Sequence, residues 1–191
     1  MREDSNVSHI CQGAYVEFGD FFARSEMSIS IAEMRPTDWP RVREIYLQGI
    51  AGGEATFETE APSWETWDAN HLPFARFVAG EAGKVMGWAA LSPVSSRRAY
   101  AGVAETSVYV ELGTRGTGVG RQLLEALISA SEQNGIWTLQ AVMFPQNIAS
   151  VVLHQGCGFL EVGRRERISK LNGVWRDTIL LERRSTQVGV D

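Results

Sequence analysis

The chain has 191 residues, 44% of them hydrophobic and 21% charged, which suits one domain with a sizeable core. A formal net charge of −5 without a sustained Lys/Arg run argues against a nucleic-acid partner, and no apolar run approaches the ~18 residues of a membrane span. Two cysteines, Cys11 and Cys157, and three histidines are too few and too scattered for a secreted disulfide framework or a zinc site, so a reduced, cytoplasmic setting without metal is expected.

Residues 1–26 mix charge, glycine and aromatics without a period and lack the apolar stretch of a signal peptide. They read as a poorly ordered N-terminal extension ahead of a domain over 27–183, with Met27 the expected natural start. Alternation at Ile29 and Ile31 predicts a first strand. Pro36-Thr37-Asp38 ends it and starts a helix over 39–51, where Asp38 is expected to accept the first N–H groups. Val42, Ile45, Tyr46 and Ile50 form the buried stripe of that helix. Gly52-Gly53 breaks it, and an acidic loop over 54–60 follows, in which Phe57 must pack on something. Ser63 caps a second helix over 64–71, closed by His71. Strands over 74–79 and 85–91 flank a hairpin signal. A loop with Arg97, Arg98 and Tyr100 then leads to a strand over 106–110.

Residues 105–121, ETSVYVELGTRGTGVGR, dominate the chain. The β-branched strand gives way to a helical period at Val119, Leu123, Leu124, Leu127 and Ile128, stopped by Asn134-Gly135. Gly113, Gly116, Gly118 and Gly120 lie between. A glycine loop feeding a helix N-terminus is a ready phosphate site. No Gly-Lys-Ser/Thr of the P-loop type occurs, and Gly116-x-Gly118-x-Gly120 has the wrong last interval for a dinucleotide fingerprint. A plain structural turn and the pattern Arg115-x-x-Gly118-x-Gly120 remain. Downstream come a strand over 138–142 and a short helix starting at Asn147 or Ser150 and running through His154. Gly156-Cys157-Gly158-Phe159 closes that helix. Two strands over 160–168 and 174–181 surround Asn172-Gly173, a hairpin cue. Residues 184–191 read as a frayed tail. The order β-α-α-β-β-β-α-β-α-β-β implies a mixed sheet.

The glycine pattern resembles the pyrophosphate loop of the GNAT acyl-CoA N-acyltransferases, and the Asn147…His154…Gly158-Phe159 stretch resembles their fourth-helix signature. Within the family the chain is similar to the phosphinothricin and methionine sulfoximine N-acetyltransferase group. The similarity is carried by Thr56-Phe57-Glu58, Arg97-x-Ala99-Tyr100, Glu105-Thr106-Ser107-Val108-Tyr109-Val110, Leu153-His154 and Gly173-x-Trp175-x-Asp177. It covers about residues 28–182. The resemblance implies an α/β (α+β) GNAT fold, a mixed, mostly antiparallel sheet of about seven strands flanked by about four helices. It also implies acetyl-CoA as co-substrate, a small-molecule amine acceptor, direct attack without an acyl-enzyme, and a homodimer; the alternatives are a peptide or protein N-terminus as acceptor, or a non-catalytic module that senses acyl-CoA.

Residue roles follow from the resemblance. The backbone of Gly116, Thr117, Gly118, Val119, Gly120 and Arg121 holds the pyrophosphate beside Arg115; Arg121 adds charge or makes a surface salt bridge. Val108, Tyr109 and Val110 pair with the pantetheine arm in a strand-like splay, with the Val110 amide near the thioester oxygen. Asn147 contacts pantetheine or caps its helix. Glu105 is the expected general base, and a strand-end surface acid otherwise. His154 is the expected acid for the thiolate, with the base and a satisfied core histidine as alternatives. Phe57, Glu58, Tyr100, Thr106 and Ser107 line the acceptor pocket beside Glu105, with Trp175 closing it. Arg97, with Arg98 adjoining, pairs with an anionic group of the acceptor, Arg76 being the weaker choice, or the two are an exposed loop pair. Cys157 is expected to be buried and inert.

Overall fold

The computed structural model describes residues 28–190; the expected extension over 1–26 and the start at Met27 lie outside them. The elements are β1 (Ser30–Glu33), α1 (Trp39–Ala51), α2 (Trp64–Asn70), β2 (Phe77–Glu81), β3 (Lys84–Pro93), β4 (Val103–Val110), α3 (Val119–Gln133), β5 (Thr138–Met143), α4 (Ile148–Gly156), β6 (Leu160–Leu171) and β7 (Val174–Arg184). Seven strands form one sheet in the order β1-β2-β3-β4-β5-β7-β6. Every neighbouring pair is antiparallel except β4–β5. The crossover through α3 is what makes that pair parallel.

Strand alternation splits the core into two layers. On one face Ala89, Leu91, Ala104, Leu139 and Leu181 pack against Leu123, Leu124 and Leu127 of α3. On the other, Val78, Trp88 and Ala90 pack against Trp39, Val42, Ile45 and Tyr46 of α1 and Trp67 of α2. Each large side chain removed from water this way contributes roughly 1.5–3 kcal/mol before chain entropy is counted.

Three local expectations change. Asp38 does not cap α1: its Oδ2 accepts from the Arg35 N–H at 2.7 Å and closes a 3-10 turn over Pro36–Asp38. β2 begins at Phe77 rather than 74, because Arg76 is spent on Asp68, Leu72 O and His71 O, gathering the preceding residues into a connector. Those bonds also remove Arg76 from the candidate acceptor ligands. Residues 185–190, expected as part of a frayed tail, are anchored through Ser185. Ser185 is buried and its N–H donates to Trp137 O at 2.9 Å, while its Oγ accepts from the Gln187 and Val188 N–H groups.

The site is positioned by a splay. β4 and β5 pair only from Val103↔Thr138 to Glu105↔Gln140, yet β4 runs on to Val110 and β5 to Met143. The outer edge of β5 is taken by β7, from Thr138↔Arg184 to Met143↔Ile179. A wedge therefore opens between two strands whose facing edges are unpaired.

Candidate active site

The wedge has donors as well as space. The Glu111 N–H donates to Met86 O at 2.8 Å, and Gly87↔Val110 and Trp88↔Tyr109 continue that register. Antiparallel pairing alternates, so Tyr109 and Ser107 turn their peptide groups to β3. Val108 and Val110 turn theirs into the wedge. A cleft of about 740 Å³ occupies it. Its walls are residues 105–110 of β4, 141–143 of β5, the α1–α2 loop at 54–58, the glycine loop and the inner face of α4.

The glycine loop suits a bulky anion. Gly116 and Gly118 have φ of 78° and 92°, left-handed values that favour glycine. A Cβ on either would meet no atom within 4 Å, so both present bare backbone to open space. Gly118 is the N-cap of α3, whose unpaired N–H groups and dipole end there. Gly120 serves packing instead: a Cβ there would come within 3.3 Å of Leu153 and 3.4 Å of Val110. Free strand edges and an open N-terminal cradle fit the amide-bearing arm and pyrophosphate of an acyl-CoA.

At the apex stands Glu105, in the last β4–β5 pair. Burial raises its carboxyl pKa, and the positive charge of Arg165 opposes the rise. His154 is buried behind it on α4. Its Nδ1 lies 2.8 Å from Ser150 O and its Nε2 3.3 Å from Thr106 Oγ1. A carbonyl only accepts, so Nδ1 carries the proton and Nε2 presents a lone pair. Burial lowers the imidazole pKa despite the Ser150 carbonyl, which keeps the ring neutral. Opposite, the rings of Tyr46 and Tyr109 meet edge-to-face at 4.8 Å, and burial raises both phenol pKa values.

Most of the expected residues converge. Glu105, Thr106, Ser107, Val108, Tyr109, Val110, Arg115, Gly116, Gly118, Gly120, Arg121, Asn147, His154, Phe57 and Glu58 all line the cleft. Phe57 finds its partner in Phe144, edge-to-face at 4.8 Å. Other side chains are placed elsewhere. The Val119 side chain is core, which leaves the expected role of its backbone N–H untouched. The Thr117 hydroxyl donates to Thr114 O at 2.6 Å, and Thr117 is not part of the cleft wall. Arg97 and Tyr100 are exposed beyond β3, outside the wall, because they sit on a surface 3-10 turn. Trp175 is exposed on the β6–β7 hairpin, under Lys170. Asn147 caps α4 by accepting from the Ser150 N–H, and its Nδ2 donates to Glu54 O at 3.2 Å. Arg121 pairs with Glu125 at 2.8 Å. Cys157 is half-buried, with its thiol pKa raised by burial.

Sequence reasoning missed Thr56 as a site residue and read Tyr46 only as core. Tyr46 falls on the apolar stripe of α1, and nothing in that spacing separates a cleft wall from a core position. Among the described residues no cluster of His, Cys, Asp and Glu could hold a metal ion, and no helix is long and apolar enough to cross a membrane.

Comparison with known proteins bears on this geometry. Residues 33–180 match the family model described as acetyltransferase (GNAT) domain. The chain is 34% identical over 165 residues to the phosphinothricin N-acetyltransferase of Alcaligenes faecalis, covering 81% of each chain. It is 31% identical to the L-methionine sulfoximine/L-methionine sulfone acetyltransferase of Pseudomonas paraeruginosa, covering 82% of this chain and 94% of that one. Among solved structures it is similar to a phosphinothricin acetyltransferase from Sinorhizobium meliloti in complex with acetyl-CoA. That match has a TM-score of 0.78 and 28% identity, over 86% of this chain and 92% of that one. With a splayed β4–β5 wedge, an open glycine cradle and this similarity together, the chain belongs to the GNAT acetyltransferases and is an acetyl-CoA-dependent N-acetyltransferase.

Proposed function

We propose that the protein moves acetyl from acetyl-CoA to the α-amine of a small amino acid analogue of the phosphinothricin or methionine sulfoximine kind, by direct attack. The observation that carries the reading is the termination of β4–β5 pairing at Glu105↔Gln140. It leaves an amide-lined slot with a carboxylate of raised pKa at its closed end. Similarity to relatives that act on phosphinothricin and on methionine sulfoximine supports the acceptor class.

Acetyl-CoA supplies the activated acyl group. Gly116, Gly118 and the first turn of α3 hold its pyrophosphate, and the edge groups of Val108 and Val110 hold the pantetheine arm. The Val110 N–H points into the wedge, where it stabilises negative charge gathering on the thioester oxygen. Glu105 removes a proton from the acceptor ammonium, and its raised pKa brings it nearer the working range of a general base. The new bond is nitrogen to carbonyl carbon and the broken bond is carbon to sulfur. Nitrogen sheds two protons on passing from ammonium to amide: the one taken by Glu105 is released to solvent and the other goes to the departing sulfur, so Glu105 ends as it began.

A second reading reverses two roles. The neutral ring of His154, with its Nε2 lone pair toward Thr106 Oγ1, suits proton acceptance better than donation. In this reading His154 takes the proton through the Thr106 hydroxyl and Glu105 orients the amine. Glu105→Gln separates the two: loss of the pH-dependent limb of kcat/KM assigns the base to Glu105, and retention with lowered activity assigns it to His154. Exposed Leu160, Val162, Val174 and Trp175 on the β6–β7 hairpin support the expected homodimer.

The experiment is thiol release from acetyl-CoA across a panel of amino acids, amino acid analogues and peptide N-termini. Turnover of phosphinothricin or methionine sulfoximine supports the reading. Turnover of peptides alone redirects it to protein N-termini.

A further inference from the structure

The glycine loop has little to hold it in shape from within. Gly116 and Gly118 present bare backbone to open space, and a loop that orders only on binding loses affinity to the entropy of ordering. Its shape must be fixed from the two ends. At one end Gly118 is the N-cap of α3. At the other stands Glu111, the first residue after β4.

Glu111 is fixed by charge. Its side chain is 15% exposed, and its Oε1 accepts from Arg41 Nη2 of α1. Its Oε2 is out of solvent, accepts no aligned hydrogen bond, and faces Lys84 Nζ at the start of β3 at 3.2 Å. Arg41 is itself tied down, its Nε donating to Val85 O at 3.1 Å. A carboxylate so far out of water is unfavourable unless its cations stay in place. Two helical turns further along α1, Gln48 Oε1 accepts from the Leu112 N–H at 3.0 Å. One face of α1 thus carries both contacts.

Hydrogen bonds in series pass this hold into the loop. The Glu111 carbonyl accepts from the Thr114 N–H at 3.0 Å and from its hydroxyl at 3.2 Å, across a 3-10 turn over Leu112–Thr114. The Thr114 carbonyl accepts from the Thr117 hydroxyl at 2.6 Å, and Thr117 stands between Gly116 and Gly118. A continuous path runs from the Arg41 guanidinium to the two open glycines. Neither Arg41 nor Glu111 is in the cleft wall. Arg41 Nη1 also meets Glu44 at 2.7 Å, but that carboxylate is 63% exposed, and surface pairs contribute little.

We propose that Glu111, held by Arg41, is a positioning residue for acetyl-CoA: it braces the glycine loop in the shape that receives the pyrophosphate. The assignment rests on the reading above, in which that loop holds the pyrophosphate, and adds what keeps the loop ready.

The test compares wild type with Glu111→Gln, Arg41→Gln, the double variant and Glu44→Gln. Two donors are used with an acceptor that wild type acetylates: acetyl-CoA, and S-acetylpantetheine, which has the same thioester and no pyrophosphate. Acetyl-CoA binding is also measured directly by calorimetry. Glu111→Gln should raise Kd and KM for acetyl-CoA by about tenfold. It should keep kcat within about twofold at saturating donor and leave kcat/KM for S-acetylpantetheine unchanged. Arg41→Gln should shift the same constants, and the double variant should be no worse than the weaker single variant, since both remove one contact. Glu44→Gln should behave as wild type. An unchanged Kd in Glu111→Gln, or an equal loss on both donors, overturns the brace and leaves acetyl transfer standing. So does an equal loss in Glu44→Gln. A wild type that uses acetyl-CoA no better than S-acetylpantetheine overturns the pyrophosphate cradle itself, and the brace with it.

Discussion

Thr106 Oγ1 stands 3.3 Å from His154 Nε2 and 3.2 Å from Gln140 O. Gln140 belongs to the last residue pair that joins β4 to β5, so this hydroxyl sits where the ladder ends. His154 Nδ1 donates to Ser150 O, tying the same point to α4. One threonine and one histidine thus close the apex of the wedge and join three elements.

Thr106→Val keeps the shape and removes the polar contact. It should cost about 1–2 kcal/mol of stability, read from urea unfolding, and should lower kcat by loosening the apex beside Glu105. An unchanged unfolding midpoint would show that the hydroxyl is not holding the splay.

His154 gives a pH signature. Its folded pKa is lowered by burial, so in the unfolded chain the ring binds a proton first. The stability it contributes is complete above the ordinary histidine value near ~6.5 and is lost as pH falls through that value. His154→Asn should flatten this part of the stability curve while leaving the carboxylate-driven fall at lower pH. A variant with the same slope between pH 7 and 5 would contradict the buried neutral ring.

Glu105 runs the other way. Its pKa is raised in the fold, so the folded state holds the proton more tightly. Its contribution is intact below the unfolded carboxylate range near ~4.3 and is lost as pH rises through the folded value. Glu105→Gln should therefore raise the melting temperature at pH 7, by about 1–3 °C, and leave it unchanged at pH 4. The same variant should lose activity by at least about a hundredfold. Stability gained with activity lost is the mark of a site residue; loss of both would make Glu105 structural.

Gly49 faces the ring of Tyr109. A Cβ on it would lie 2.8 Å from Tyr109 Cε1 and 2.9 Å from Cδ1, and Tyr109 is stacked on Trp88 at 4.7 Å with no room to retreat. Gly49→Ala should cost about 1–3 kcal/mol through overpacking and should displace Tyr109 from the cleft wall, raising KM for acetyl-CoA. Gly113→Ala is the control, since a Cβ there meets nothing within 4 Å and its φ is not left-handed. Equal effects at both positions would remove the packing explanation.

The fold was legible where pattern and punctuation agree. The leucines of α3 announced their helix, and Asn172-Gly173 announced the last hairpin, both residues adopting positive φ. The candidate site was legible where open backbone lines the cleft, as at Gly116 and Gly118. It was less legible where long side chains choose among partners. Arg76 looks in sequence like any other candidate cation, and only the closure of the α2–β2 connector gives it to Asp68. Asp38 failed as a cap for a similar reason: the Arg35 N–H, held by the preceding 3-10 turn, was the nearer donor. The splay itself was expected through family resemblance, since no periodicity tells a strand edge left open from one that is paired.

The central claim is acetyl transfer to an amino acid α-amine at the Glu105 end of the wedge. Its most direct measurement is the rate of thiol release from acetyl-CoA with methionine sulfoximine or phosphinothricin, wild type beside Glu105→Gln, with the product identified by mass. The account predicts an N-acetylated amino acid, formed rapidly by wild type and at least about a hundredfold more slowly by the variant. Acetyl-CoA binding without an acetylated amino acid, or equal rates for the two proteins, would contradict it.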